Sequence, residues 1–429
     1  MAGASMGDLK VGMVCIYWPP AHGGAERYAY EMAQALRNRG VDLEVFTGTT
    51  ELPDKNNGDV EVIRPEQNYY MGYYGDFVES TSAGKDPYEA HPSLFRVYEW
   101  FNDMLKWAKE GDFTHFIVNA PLGRVCFIQG REVFSALKQT GAKVGCIHHD
   151  LGINLIQDIE ATRKEYDSWA ETQQSVQDNL KRILSETDDI YRQYYLIDSP
   201  LFFDVDFIIN NSAWGQSFLD VFDTIPKYVL HPPIDFEYWD NHSDTDDELE
   251  STNIGFINPQ YHKGRSHMAN IINDRNHKYT FRVLKGGWGD SYREFVPMVE
   301  KSLANTEGRL HLDTYVENIR GYYKSLDLFM FPSRYEGYGY AGIEPMLCGT
   351  PVISSDYPAI VEAVGDGALL IESSMLRHTP HEDVMEAIED LYLEYDEWIE
   401  AGNNRVKELK IRQEQEFDGL IPFLEGMSE

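Results

Sequence analysis

The stretch Phe331-Pro-Ser-Arg-Tyr-Glu-Gly-Tyr-Gly-Tyr-Ala-Gly-Ile-Glu-Pro345 decides the reading of this chain. Leu328–Phe331 is an apolar run that predicts a buried strand. Gly337, Gly339 and Gly342 then disfavour any continuous helix before Ile343. A helix is expected from near Gly342, with Pro345 in its first turn, where a missing N–H costs nothing. It ends at Gly349, ahead of a strand over Pro351–Ser354. Strand, glycine-rich turn, helix and strand make one α/β unit, and the N–H groups of such a turn can face a phosphate. Glu336 stands before the loop and Glu344 after it, each able to accept hydrogen bonds from sugar hydroxyls. The stretch also fits G-x-G-x-x-G, a weak signal here: a dinucleotide fold places it in its first β-α unit with an acidic residue about 20 positions on. The plain alternative is that these glycines only build a tight turn.

Working outward, strands are expected at Asn253–Ile257, Thr280–Leu284 and Arg309–Asp313, alternating with helices. Glu382–Leu424 has helical apolar spacing. Upstream, Val11–Tyr17 reads as a strand, followed by Trp18-Pro-Pro20 and the turn His22-Gly-Gly24. A helix over Ala25–Arg39 and a strand over Val41–Thr47 complete a β-α-β opening. Further strands are predicted at Thr114–Asn119, Lys143–His148 and Val205–Asn210, and helices at Leu94–Lys109, Glu132–Thr140 and Trp214–Phe222. The acidic, core-free stretch Tyr238–Glu250 separates two α/β units. Two segments exceed a minimal doubly wound domain: a Tyr- and Gly-rich stretch within about 66–90, and a long polar helical stretch, 154–195. Inserted segments often carry specificity. The first suits acceptor contact. The second reads equally as an acceptor element or as a helical hairpin packed on the domain or on a second copy of the chain.

At 429 residues the chain is long enough for two domains of about 200 residues. The net charge of −34 repels nucleic acid and anionic lipid, so any phosphate-bearing ligand must meet locally placed basic groups. The four cysteines have no paired spacing and read as thiols in a reducing compartment. No apolar run reaches the roughly 18 residues of a membrane span, and Met1–Lys10 has no signal core. The expectation is a soluble cytoplasmic protein with at most peripheral membrane contact.

Glu336 and Glu344 are separated by seven residues, and with Pro332-Ser-Arg-Tyr-Glu-Gly337, Gly349-Thr-Pro-Val352, Tyr357-Pro-Ala-Ile-Val-Glu362 and Gly365-Asp-Gly367 the chain resembles the retaining nucleotide-sugar glycosyltransferases of family 4. Pro19-Pro20 with Gly23-Gly-Ala-Glu-Arg27 is similar to that family's opening loop, and Asn211-Ser212 and His231-Pro-Pro-Ile-Asp235 to its approach to the interdomain linker. The resemblance implies the GT-B fold: two Rossmann-like, doubly wound α/β domains facing a cleft. Residues 1–240 would form the acceptor-side domain and 241–410 the nucleotide-sugar domain, with a C-terminal helix, 411–429, returning to the first.

The same resemblance implies the roles. Glu344 would hold the ribose hydroxyls and Glu336 the transferred sugar near its reacting carbon. Gly23 and Gly24 would admit the diphosphate, and Lys263 would neutralise the leaving phosphate. The loop residues Gly337, Tyr338, Gly339, Tyr340 and Ala341 would line the donor. The family's usual arginine five residues before the lysine is Asn258 here, with Arg265 or Arg334 left to compensate. His149, in His148-His-Asp150, is expected either to face the donor sugar or to be structural. Adjacent strand residues point to opposite faces, so this run is not read as a metal site. Asp204-Val-Asp206 resembles a metal-binding D-x-D but adjoins the apolar Phe207-Ile-Ile209 and reads as a strand edge. No metal or cofactor is expected. The implied reaction moves a hexose-type sugar, with retention, onto a glycan, lipid-linked or small-molecule acceptor. A nucleotide-sugar epimerase or a non-catalytic subunit of the same fold are the alternatives.

Overall fold

A computed structural model of the chain describes residues 9–15, 18, 24–48, 60–63, 92–119, 130–149, 151, 153–186, 205–222, 225–240, 252–274, 279–286, 291–303, 309–314, 316, 318–372 and 381–427. The stretch 66–90, with its tyrosines, lies outside these residues, as do Gly23, Asp150, Asp204 and the acidic segment 241–250.

The first sheet has seven strands: β1 (Lys10–Cys15), β2 (Asp42–Phe46), β3 (Glu61–Ile63), β4 (His115–Asn119), β5 (Lys143–His148), β6 (Phe207–Asn210) and β7 (Lys227–Val229). All pair in parallel in the order β3-β2-β1-β4-β5-β6-β7. The second has six: β8 (Thr252–Ile257), β9 (Phe281–Leu284), β10 (Leu310–Asp313), β11 (Leu326–Phe331), β12 (Val352–Ser355) and β13 (Leu369–Ile371). It is also parallel, ordered β10-β9-β8-β11-β12-β13. Strands covered by helices on both faces are apolar nearly throughout, and β1, β4, β5, β6, β11 and β12 are buried at almost every residue. In each sheet the strand order reverses beside its first strand, at β1/β4 and at β8/β11. Open α/β sheets bind ligands outside the strand ends at such switch points.

The predicted strands are all present, with ends within two residues. Three strands were not predicted: β3, β7 and β13. Each has three residues and lies at a sheet edge, too short for an apolar period to register.

One of these expectations needs correction. The helix after the glycine-rich loop runs Tyr340–Leu347, so Pro345 is in its second turn rather than its first. Gly339 takes φ 106°, a left-handed conformation that suits glycine, and this starts the helix two residues early. The described part of the stretch 154–195 is two helices, Ile153–Thr162 and Trp169–Glu186, as a helical hairpin requires. Their break is encoded locally: Ser168 Oγ accepts from Glu171 N (3.2 Å) and donates to the Glu171 carboxylate (2.9 Å). That S-x-x-E pattern caps a new helix start.

Four cores hold the molecule. Two lie on the faces of the first sheet and one on the far face of the second. The fourth spans both domains, joining Leu155, Ile159, Val176 and Leu180 of the inserted helices to Tyr323, Ile343, Tyr357 and Ile360 of the second domain. The inserted helices are thus bound to both halves. Glu160 pairs with Arg334 (2.7 Å), Arg163 with Glu372 (3.2 Å), and the Trp169 ring meets Tyr357 edge-on at 5.3 Å.

The last helix, Tyr395–Gly426, has 32 residues and is therefore roughly 48 Å long. Up to Arg412 it lies on the second domain, where Arg405 and Arg412 donate to the carbonyls of Glu362 and Ala363. Those carbonyls end the helix Pro358–Val364 and have no partner within it. Its last turns place Phe417, Leu420 and Leu424 in the core of the first sheet. Between the two halves, His231 of the interdomain linker sits between Glu362 and Glu416, one ring nitrogen 2.5 Å from each. Burial raises the Glu362 pKa, but the bond to His231 and the N–H groups of Ala213 and Trp214 outweigh it and hold the carboxyl below its ordinary 4.5.

Candidate active site

The loops that follow β8 and β11 flank the switch point of the second sheet. After β8 the chain makes a short turn, Tyr261–Lys263, closed by Gly264 at φ 84°. A Cβ on Gly264 would stand 2.3 Å from the Pro332 carbonyl oxygen, so this close crossing of the two loops requires glycine. Arg334 N donates to the His262 carbonyl (2.8 Å), and the His262 and Tyr335 rings stack at 5.2 Å. The crossing sets Lys263 Nζ 2.5 Å from Glu336 Oε1. We expect Gly264→Ala to lower folding stability by at least about 2 kcal/mol, from left-handed strain and from the displaced Pro332 carbonyl. A urea melt would read it as a lower midpoint at constant slope. An unchanged midpoint would show that the crossing is not rigid.

Glu344 lies buried in the helix Tyr340–Leu347. Tyr323 Oη donates to its Oε2 (2.7 Å), and Arg27 of the first domain reaches across the cleft to its Oε1 (2.6 Å). Arg27 is on the first turn of the helix Gly24–Asn38, which opens at Gly24 beyond β1. Its guanidinium lies 4.6 Å from the Tyr340 ring and 5.7 Å from Trp239. Each glutamate therefore meets one cation, Glu336 from its own domain and Glu344 from the other.

His149 follows β5 on the first domain's side of the cleft. Its Nε2 is 2.7 Å from Asn119 Oδ1, and its ring meets Tyr28 edge-on at 5.1 Å. Asn119 Nδ2 donates to the Ala25 carbonyl (3.2 Å), so Oδ1 is the acceptor and His149 Nε2 carries the proton. Burial, with a smaller push from His148, lowers the His149 pKa to about 3. The imidazole is neutral at pH 7 and its Nδ1 is an acceptor. His148 turns elsewhere, its Nδ1 3.2 Å from Asn210 Oδ1.

The remaining expected residues divide. Arg334 and Arg265 flank the Tyr261 ring at 4.7 and 5.9 Å, beside Lys263. Both are paired with carboxylates, Arg334 with Glu160 and Arg265 with Glu294, so neither stands as an uncommitted substitute for the arginine replaced by Asn258. Asn258 adopts φ 52°, with its buried Oδ1 lacking a partner among the described residues. Gly337 and Ala341 lie in the loop and the helix start. The Tyr338 side chain turns to the linker, its hydroxyl bonded to Arg412 and its ring 5.0 Å from His231, which leaves only its backbone in the loop beside Glu336. Asp206 accepts from Val144 N (2.8 Å) and pairs with Lys138 (3.2 Å), binding a strand edge. Arg27, Tyr323, Asn119 and Glu160 were not singled out as site residues. Arg27 alone had a signal, standing three residues after Gly24 in the opening motif.

Residues 254–393, about a third of the chain, match the family described as Glycosyl transferases group 1. Among curated relatives, the O-antigen chain mannosyltransferase B of Escherichia coli is 34% identical over 94 residues, covering 21% of this chain and 24% of its own. The lipopolysaccharide core biosynthesis mannosyltransferase LpsB of Rhizobium meliloti is 43% identical over 51 residues, covering 12% and 14%. The chain spans 32% or less of the length of these and of an uncharacterized 41.2 kDa protein from the cps region of Klebsiella pneumoniae. Solved structures align over nearly all of it. Sucrose-phosphate synthase of Thermosynechococcus elongatus superposes with TM-score 0.63 at 15% identity, over 96% of this chain and 99% of that one. HepE of Anabaena, in complex with UDP and glucose, gives 0.59 at 14% over the same shares. At such identities the likeness shows the fold. The chain has the GT-B fold, and its second domain is similar over nearly its whole length to the group 1 glycosyl transferases.

Proposed function

We propose that the chain is a retaining glycosyltransferase that moves a hexose-type sugar from a nucleoside diphosphate donor to a glycan or lipid-linked acceptor. The observation that carries this reading is the meeting of two ion pairs in one cleft: Lys263 with Glu336 at the β8/β11 switch point, and Arg27 with Glu344 across it. A nucleotide sugar presents hydroxyls at both ends and a diphosphate between them. Glu344 accepts from the ribose hydroxyls, and Glu336 accepts from the sugar near its anomeric carbon. Lys263 then turns from Glu336 towards the diphosphate.

As the anomeric C–O bond breaks, its electron pair leaves with the diphosphate. The Lys263 ammonium stabilises that growing charge most in the transition state. This chain needs such a local cation because its overall charge repels anions. The acceptor oxygen bonds to the same face of the anomeric carbon, and its proton passes to the departing phosphate oxygen. Neutral His149 offers Nδ1 as an acceptor to a hydroxyl of the sugar. The two bacterial relatives are mannosyltransferases of lipopolysaccharide core and O-antigen, which makes a mannosyl donor and a lipopolysaccharide-type acceptor the first pair to try.

The test supplies labelled nucleotide sugars with and without oligosaccharide or lipid-linked acceptors. Nucleoside diphosphate should appear only with acceptor, matched by label in a product whose anomeric configuration equals the donor's. Acceptor-independent conversion of the donor's sugar to an epimer would identify an epimerase. Binding without release would identify a non-catalytic subunit, and an inverted product would overturn retention.

A further inference from the structure

Arg320 lies in the short helix Ile319–Lys324 and is 6% exposed. A guanidinium this deeply buried normally meets a carboxylate, because an uncompensated buried charge is costly. Arg320 has no ion pair among the described residues, and its Nε and Nη2 are buried without a hydrogen-bond partner. Those two atoms form one edge of the guanidinium, with two parallel N–H donors. Its neighbour is the ring of Tyr238, 5.6 Å away, itself 43% exposed on the interdomain linker.

This edge belongs to the nucleoside end of the site. Tyr323 is one turn further along the same helix, on the same face, and holds Glu344. The ring of Trp239, next to Tyr238, lies 6.4 Å from that of Tyr323 and 5.7 Å from the Arg27 guanidinium, so the linker helix beside Arg320 also flanks the groups that hold Glu344. The ribose carboxylate and an unspent guanidinium fork therefore share one end of the cleft.

We propose that Arg320 reads the base of the donor and selects guanine. A guanidinium edge matches the adjacent O6 and N7 acceptors of guanine in a bidentate contact. Uracil lacks such a pair because its N3–H separates O2 from O4, cytosine offers O2 beside N3 but only a single ring for an aromatic face to cover, and adenine offers N7 beside a donating amino group, which would oppose the second N–H. Tyr238, flanking the arginine, supplies an aromatic face for the purine. The inference rests on the nucleotide-sugar reading above and names its donor class.

Calorimetry on the full chain would compare GDP, IDP, 7-deaza-GDP, UDP and ADP. GDP and IDP should bind within about threefold of each other, since both keep O6 and N7. The other three should bind at least about tenfold more weakly. Arg320→Met should remove the GDP preference while leaving UDP affinity unchanged. The analogues test the wild-type protein directly, so the result stands even if that variant fails to fold. Equal affinity for all bases, a UDP preference, or tight binding of 7-deaza-GDP would overturn the assignment while leaving the nucleotide site intact. Failure of every nucleotide to bind would overturn both readings.

Discussion

Lys263→Ala should lower the turnover number by about a hundredfold or more, the usual effect of removing one donor aimed at charge that develops in the transition state. Lys263 ends a short turn closed by Gly264, and the loop after β11 crosses over that turn. The Lys263 backbone is thereby fixed beside the loop, and its ammonium has only to change partner from Glu336 to the diphosphate. The ground-state donor already carries its diphosphate charge, so donor affinity should fall less than turnover does. Lys263→Arg keeps the charge but moves it onto a larger planar group, and should recover only part of the rate. Steady-state kinetics at saturating donor separates the cases. An unchanged turnover number would remove Lys263 from the chemistry.

Glu344→Ala should weaken donor binding about tenfold to a hundredfold, the loss of a hydrogen bond to a charged acceptor worth about 1.5–3 kcal/mol. The carboxylate is buried and faces Tyr323 and Arg27. Alanine leaves both without their partner. The Arg27 side chain is 30% exposed, so water takes up its charge, but the buried Tyr323 hydroxyl is left without an acceptor, and the stability loss should be about 1–3 kcal/mol. Glu344→Gln keeps an acceptor for Tyr323 and separates the loss of charge from the loss of shape. Titration calorimetry with the donor reads both variants, and wild-type affinity in Glu344→Ala would show that the ribose lies elsewhere.

Much of the fold was legible because each sheet is parallel and covered on both faces. Burial turns such strands into short apolar runs, and Lys143–His148 could be read to the residue. The edge strands β3, β7 and β13 escaped because three residues carry no period. The break at Ser168 was present as a capping box but lay inside a polar helical pattern that hid it. The start of the next helix was missed because the three glycines argue against a helix before Ile343, whereas Gly339 caps one that runs on through Ala341 and Gly342. In the candidate site, Glu336, Glu344 and Lys263 stand out in the sequence through spacing and resemblance. Arg27, Tyr323, Glu160 and Arg320 were not, because their roles arise from segments that meet only after folding. Arg27 and Glu344 are 317 residues apart, and no local pattern joins them.

The most direct test of the donor site is a crystal structure with a nucleoside diphosphate sugar bound. The ribose hydroxyls should lie on Glu344 with Arg27 drawn off it, the diphosphate on Lys263, and the sugar between Glu336 and His149. A nucleotide bound outside the cleft, or bound within it with both ion pairs intact and no phosphate contact to Lys263, would contradict the account.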